Sequence, residues 1–221
     1  MSSRRRKQEV REIEARVLAK FMEERRPYEE ISALMQNGTD EELAARISRA
    51  VAEGCDIAHH IDKYGYSFMH TAAELNRPAA IEPLIRAGLD VNDRGGKEKG
   101  TPLHTAVISG SAEAVRELIR LGADVNANAY EDSTALHYAA YHADQDEDKY
   151  FEIIKALIDA GANPHAQDVY RIEPVHCFKT QEGQRRFLSL IGEDTEKLPT
   201  RYMLTYDYDG RFIIAVRGRS L

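Results

Sequence analysis

The chain has 221 residues, 43% of them hydrophobic and 30% charged, with a net charge of −7. This composition fits one soluble globular or repeat domain with extensions and excludes a disordered chain. The acidic balance argues against a nucleic-acid binder, and no apolar window approaches the ~18 residues of a membrane-spanning helix.

The chain opens on the basic run Arg4-Arg5-Arg6-Lys7. No apolar stretch comes after it, so no secretory leader is expected. The run reads as a solvated start, with a nuclear-import or anionic-surface patch as the alternative. Val10, Ile13, Val17 and Phe21 recur at helical steps. That helix is predicted to end at Pro27, and a second short one, with Ile31, Leu34 and Met35 apolar, to stop at Asn37-Gly38. The apolar stripe reads as a cap over the first unit of the neighbouring domain, or else as a partner-binding or coiled-coil helix. Thr39 and Glu42 then form a capping box that starts a helix over 41–53. Cys55 and Cys177 are too far apart for a disulfide framework or zinc spacing and read as small buried hydrophobes in a reducing compartment.

The most regular stretch is Thr101-Pro102-Leu103-His104-Thr105-Ala106. Thr101 can cap a helix through its hydroxyl, and Pro102 suits a first turn, where its missing N–H costs nothing. A second helix over 112–121 stops at Gly122, which suits the left-handed residue past a helix end, and Ala123-Asp124-Val125-Asn126 leads out. Two sets of landmarks repeat. The histidines His70, His104, His137 and His176 are separated by 34, 33 and 39 residues. The glycines Gly54, Gly88, Gly122 and Gly161 are separated by 34, 34 and 39. The excess in the last interval falls around 143–148, the acidic stretch Ala143-Asp144-Gln145-Asp146-Glu147-Asp148.

With this period and the T-P-L-H-x-A pattern, the chain resembles the ankyrin-repeat family over about 39–192. The motif-bearing units begin at Ser67, Thr101 and Thr134, with exits Leu89-Asp90-Val91-Asn92, Ala123-Asp124-Val125-Asn126 and Ala162-Asn163-Pro164-His165. Phe68 and Ala135 stand where the pattern has proline, Pro164 where it has valine, and the unit at Glu173-Pro174-Val175-His176 lacks the small pair that comes after the histidine. The first and last units are therefore degenerate caps. The resemblance implies a mainly α fold: an ankyrin-repeat solenoid of four to five stacked helix pairs with finger loops. It carries a helical N-terminal extension over 1–38 and a C-terminal tail over 193–221. It also implies that His70, His104 and His137 are structural, bonding the backbone of the adjacent turn. Leu103, Ala106, Val115, Leu118 and Ile119, with Leu84, Ile85, Ile153, Ile154, Leu157 and Ile158 from neighbouring units, are the expected core.

The tail begins after Leu198-Pro199. Two aromatic and β-branched runs flank Asp209-Gly210, a two-residue hairpin signal. In that register Asp207 faces Phe212, Thr205 faces Ile214 and Met203 faces Val216. Such a hairpin is marginal alone, so it is expected either to lid the last repeat or to pair with another chain.

No catalytic set is expected, and no cofactor or metal. The chain lacks a phosphate-cradling glycine loop and the common hydrolase and zincin motifs. His59-His60 near Cys55 and Asp62 reads as a loop between units. Asp144, Asp146 and Asp148 alternate like the start of a calcium loop, but Lys149 and Lys155 stand where glycine and glutamate are needed. They read as a solvated acidic loop or a contact for a basic partner. The resemblance implies a protein partner met by fingers and inner helices. On the fingers these positions are Lys63, Tyr64, Tyr66, Arg94, Lys97, Lys99, Asn128, Tyr130, Glu131, Tyr170 and Arg171. On the inner helices they are Glu74, Ile108, Ser109, Tyr141 and His142. Tyrosine gives contact area at low entropy cost. The expected function is therefore a non-catalytic protein–protein interaction module. One alternative is an inhibitor, immunity protein or secreted bacterial effector that blocks an enzyme; another is a self-assembling protein that dimerises through the tail hairpin. The expected location is cytoplasmic, with a nuclear protein or one delivered into a host cell as alternatives.

Overall fold

The computed structural model describes residues 3–196, 198, 202–206 and 212–216. Its helices are α1 (Ser3–Asn37), α2 (Asp40–Ala52), α3 (Phe68–Glu74), α4 (Pro78–Arg86), α5 (Pro102–Ile108), α6 (Ala112–Arg120), α7 (Ala135–His142), α8 (Glu147–Asp159), α9 (Pro174–Cys177) and α10 (Gln181–Ile191). They stack in two rows. α3, α5, α7 and α9 form the inner row, and α2, α4, α6, α8 and α10 the outer row, each helix touching the next in its row.

The stack forms because no unit can bury its apolar face alone. Leu103, Ala106, Val107, Val115 and Leu118 of the central unit are fully buried, as are Leu84, Ile154 and Leu157 of its neighbours. Ile85, Ile119 and Ile158 are only half-buried, packed on the rim of this core. Polar groups tie unit to unit. Asn92 accepts from the N–H of Asp124 at 2.8 Å, and Asn126 from that of Asn163 at 2.7 Å, through their side-chain oxygens. The side-chain amide of Asn126 donates to the Gly161 carbonyl at 3.1 Å. Each exit motif thus satisfies backbone groups of the next one along, which fixes the rise of the stack.

The motif histidines fix the first helices. The Thr101 N–H donates to His104 Nδ1 at 3.2 Å, and the Thr134 N–H to His137 Nδ1 at 3.1 Å. With Nδ1 accepting, Nε2 carries the hydrogen. His70 Nε2 donates to the Gly100 carbonyl at 3.1 Å and His137 Nε2 to that of Ile172 at 2.9 Å, each reaching the next finger. His104 Nε2, as deeply buried, finds no acceptor in good hydrogen-bond geometry among the described residues, although the Ala127 and Ser133 carbonyls lie near the ring.

The helix break expected at Pro27 does not occur, since α1 runs through it to Asn37. Proline removes one N–H and crowds one turn, and packing outweighs that here. Pro27, Ile31 and Met35 are buried, and this end of α1 packs on α2 and α3. The last turns of α1 thus take the inner-row place beside α2, whose Thr39–Glu42 capping box forms as expected. His60 is stacked between Tyr28 of α1 and Phe68 of α3, at centroid distances of 4.3 and 5.0 Å.

The acidic insertion lengthens α8, and part of its charge is paired within the chain. Asp146 caps α8 by accepting from the Lys149 N–H. Lys179 reaches Asp144 at 2.9 Å, and Arg186 reaches Glu147 at 2.7 Å and Asp148 at 3.4 Å. Asp144 and Glu147 thus have cationic partners within the chain, while Asp148 stays almost fully exposed. The Asp209-Gly210 hairpin is not supported. Its turn lies outside the described residues, and Tyr202 pairs with Val216 and Thr205 with Ile213, one residue away from the predicted register.

Candidate functional site

The four loops that precede α3, α5, α7 and α9 project as fingers on one side of the inner row. The first three close on themselves through bridges between Ile61 and Ser67, Gly95 and Gly100, and Asn128 and Thr134. The fourth closes when the Asp168 N–H donates to the Ile172 carbonyl at 3.1 Å. Between fingers and inner helices lies a cavity of about 380 Å³. Its wall comprises Tyr66, Glu98, Glu131, Ser133, Asp168 and Tyr170 from the fingers, Ile108 from α5, His137, Tyr138, Tyr141 and His142 from α7, and Cys177 from α9. All four fingers contribute.

Local sequence explains how these groups are held. Gly96 has a φ of +69°, and an added Cβ would lie 2.5 Å from the Tyr66 ring. Only glycine lets the second finger pass this close to the first. Glu131 and Asp132 both take left-handed backbone, with φ of 54° and 59°. This conformation costs ordinary residues about 1–2 kcal/mol. It is secured by the fourth finger. The Val169 N–H donates to the Glu131 carbonyl at 3.0 Å, and the Tyr170 hydroxyl to the Glu131 carboxylate at 2.9 Å. Asp168 accepts from the N–H groups of Tyr170 and Ile172, which shapes the fourth fingertip.

The wall has one sign of charge. Glu98, Glu131 and Asp168 are its acids, and no lysine or arginine lines it. None of the three acids forms an ion pair among the described residues, as is also true of Asp62, Glu74, Asp90 and Asp124 outside the wall, whereas Glu82, Glu117, Glu147 and Asp144 are paired; the three stand together at one wall. Burial holds the imidazoles of His137 and His142 below their ordinary pKa, so both are neutral near pH 7. The Tyr66 hydroxyl is pushed up by burial and then by Glu98, Glu74 and Asp62. That of Tyr170 is pushed up by its hydrogen bond to Glu131.

Of the expected contact residues, Tyr66, Ile108, Glu131, Tyr141, His142 and Tyr170 meet at this cavity. Lys63, Tyr64, Glu74, Lys97, Ser109, Tyr130 and Arg171 are exposed but do not line it. Lys99 and Asn128 also lie outside the wall. Arg94 is a clamp, since its guanidinium donates to the carbonyls of Lys99 at 3.2 Å and Asn128 at 2.6 Å. The wall also holds Glu98, Ser133, Tyr138, Asp168 and Cys177, which are not among the expected contacts, and His137, expected to be structural. The sequence carries a signal for Tyr138. The residues after the motif histidines are Thr71, Thr105, Tyr138 and Cys177, and the one bulky residue of that column stands in the cavity wall.

Residues 69–168 match the family model for ankyrin repeats, in three copies. Such repeats are generally protein–protein interaction modules. Among curated proteins, none matches the chain.

Proposed function

We propose, from the premise that this chain is an ankyrin-repeat protein, that it is a binding module that docks a protein partner on its fingers and inner helices, without covalent chemistry of its own. The observation that carries this reading is the cavity, to which four tyrosines and all four fingers contribute. Tyrosine is the residue type that recurs at binding hot spots, because a rigid amphipathic ring gains much contact for little lost entropy. The fingers are locked to one another before any partner arrives, so little ordering cost remains.

The test is affinity capture on the immobilised chain, with mass spectrometry of the bound protein. A variant with Tyr66, Tyr141 and Tyr170 replaced by alanine is compared with one carrying Arg116→Ala and Glu152→Ala on the outer row. Both are first checked for an intact helical spectrum. Loss of the captured partner only in the tyrosine variant supports the reading. Equal capture by both overturns it. Adding the captured partner's own activity assay separates a tether from an inhibitor.

A further inference from the structure

We infer that the tyrosine cavity is the seat of one arginine side chain from the partner protein. This rests on the docking reading above and sharpens it to one chemistry. Three observations lead there. The cavity's acids, Glu98, Glu131 and Asp168, have no cationic partner among the described residues, and no basic side chain shares the wall with them. An apolar occupant would strip these carboxylates of water and return nothing, which is costly. A cation compensates them.

Four of the nine other wall residues are tyrosines. Tyrosine faces attract cations, and Tyr141 already holds one in this chain, with Lys179 Nζ lying 4.5 Å from its ring centroid. That lysine is itself engaged by Asp144 and is not part of the wall. The cavity, about 380 Å³, is near the lower limit of ligand-sized sites, which run from about 300 to 1,000 Å³. It suits one long side chain better than a folded epitope.

Arginine fits better than lysine. The acids come from three separate fingers and therefore approach the cavity from several directions. A guanidinium offers five donors in a flat fork and lays its face on aromatic rings, and it sheds water more easily than an ammonium. Lysine offers one compact charge.

The experiment uses the full chain and three blocked tetrapeptides, acetyl-Ala-Arg-Ala-Ala-amide and its lysine and glutamine counterparts. Binding is monitored through the tyrosine ring signals by nuclear magnetic resonance. The arginine peptide is expected to give saturable shifts that weaken with added salt. The lysine peptide is expected to bind several-fold more weakly and the glutamine peptide not at all. The double variant Glu98→Gln, Glu131→Gln keeps side-chain size and leaves Asp168 to shape its loop. It is expected to weaken the arginine peptide roughly tenfold while the helical spectrum stays intact. Equal shifts from the glutamine peptide, or none from the arginine peptide at millimolar concentration, overturn the inference. If the acid-to-amide variant still captures the partner while the tyrosine variant does not, the arginine seat fails and the docking surface stands. If capture survives the tyrosine substitutions, the docking reading fails and the seat with it.

Discussion

Acid should unfold this stack through its motif histidines before its carboxylates protonate. His104 is the clearest case. Its imidazole is buried, and burial lowers its pKa to about 4, against 6.5 for an exposed histidine. The neutral ring is therefore the folded form. Stability from this group is whole above pH 6.5, is lost as pH falls toward 4, and changes no further below that. The full loss is about 3 kcal/mol, at roughly 1.4 kcal/mol per pKa unit. About 2 kcal/mol of it disappears between about pH 7 and 5. Burial lowers the pKa of His70 and His137 as well, so they add in the same direction. Ordinary carboxylates titrate below about pH 5 and contribute little in this window. Urea unfolding monitored by circular dichroism, repeated in small pH steps from about 7 to 5, gives the slope. His104→Gln keeps a hydrogen-bonding side chain but cannot charge, and it should flatten that slope by up to about 1.4 kcal/mol per pH unit. Its stability at pH 7 will also fall, but the slope is the readout. An undiminished slope in His104→Gln would refute the reasoning.

Packing and pairing set the other expected outcomes. Leu118→Ala, at a fully buried position of the central unit, should cost about 2–5 kcal/mol in urea unfolding. Thr39→Ala removes the α2 capping box and should cost about 1 kcal/mol, with protection lost first at the N-terminal end by hydrogen exchange. Arg186→Ala removes a guanidinium lying 4.1 Å from the Phe151 ring and paired with Glu147 and Asp148. These are partly exposed contacts, so the loss should be about 1 kcal/mol. His60→Ala opens the Tyr28–His60–Phe68 stack and should make α1 a faster target for limited proteolysis while the central units keep their exchange protection.

The repeat region was legible because its signals are local and occur several times over. A glycine past each outer helix, a histidine in each inner one and an aspartate or asparagine in each exit all answer a backbone need, and the same need recurs every turn of the stack. The Pro27 break failed because a local rule met tertiary packing. Ile31 and Met35 gain enough from burial to carry the helix past a missing N–H. The acidic insertion misled in another way. Sequence displays the charges of Asp144, Glu147 and Asp148, but their cations, Lys179 and Arg186, stand more than thirty residues on. The cavity was half legible for the same reason. Tyr66, Tyr141 and Tyr170 are visible as finger and inner-helix positions. Glu98 and Asp168 become neighbours only because the fingers bring them to one wall.

That contrast also separates scaffold from site. In a linear stack each unit contacts only its neighbours, so a group that serves folding should find its partner within one unit's reach. The motif groups do: Asn92 bonds Asp124, Asn126 bonds Asn163, His70 bonds Gly100 and His137 bonds Ile172. Outside the cavity many acids do as well, including those of the insertion. Glu98, Glu131 and Asp168 lie on three successive fingers, and although Glu131 and Asp168 accept hydrogen bonds from the fourth finger, none of the three has a charge partner among the described residues. Three uncompensated charges at one wall weaken the fold slightly through mutual repulsion. Folding accounts for the place of Asp168, which shapes its fingertip, and of Glu131, which accepts the Tyr170 hydroxyl, but not for their charge or for Glu98 beside them. A cationic occupant does, and it would bridge fingers that otherwise meet only in pairs. Its binding should therefore slow hydrogen exchange in all four fingers together, whereas a ligand held by one finger would protect that finger alone.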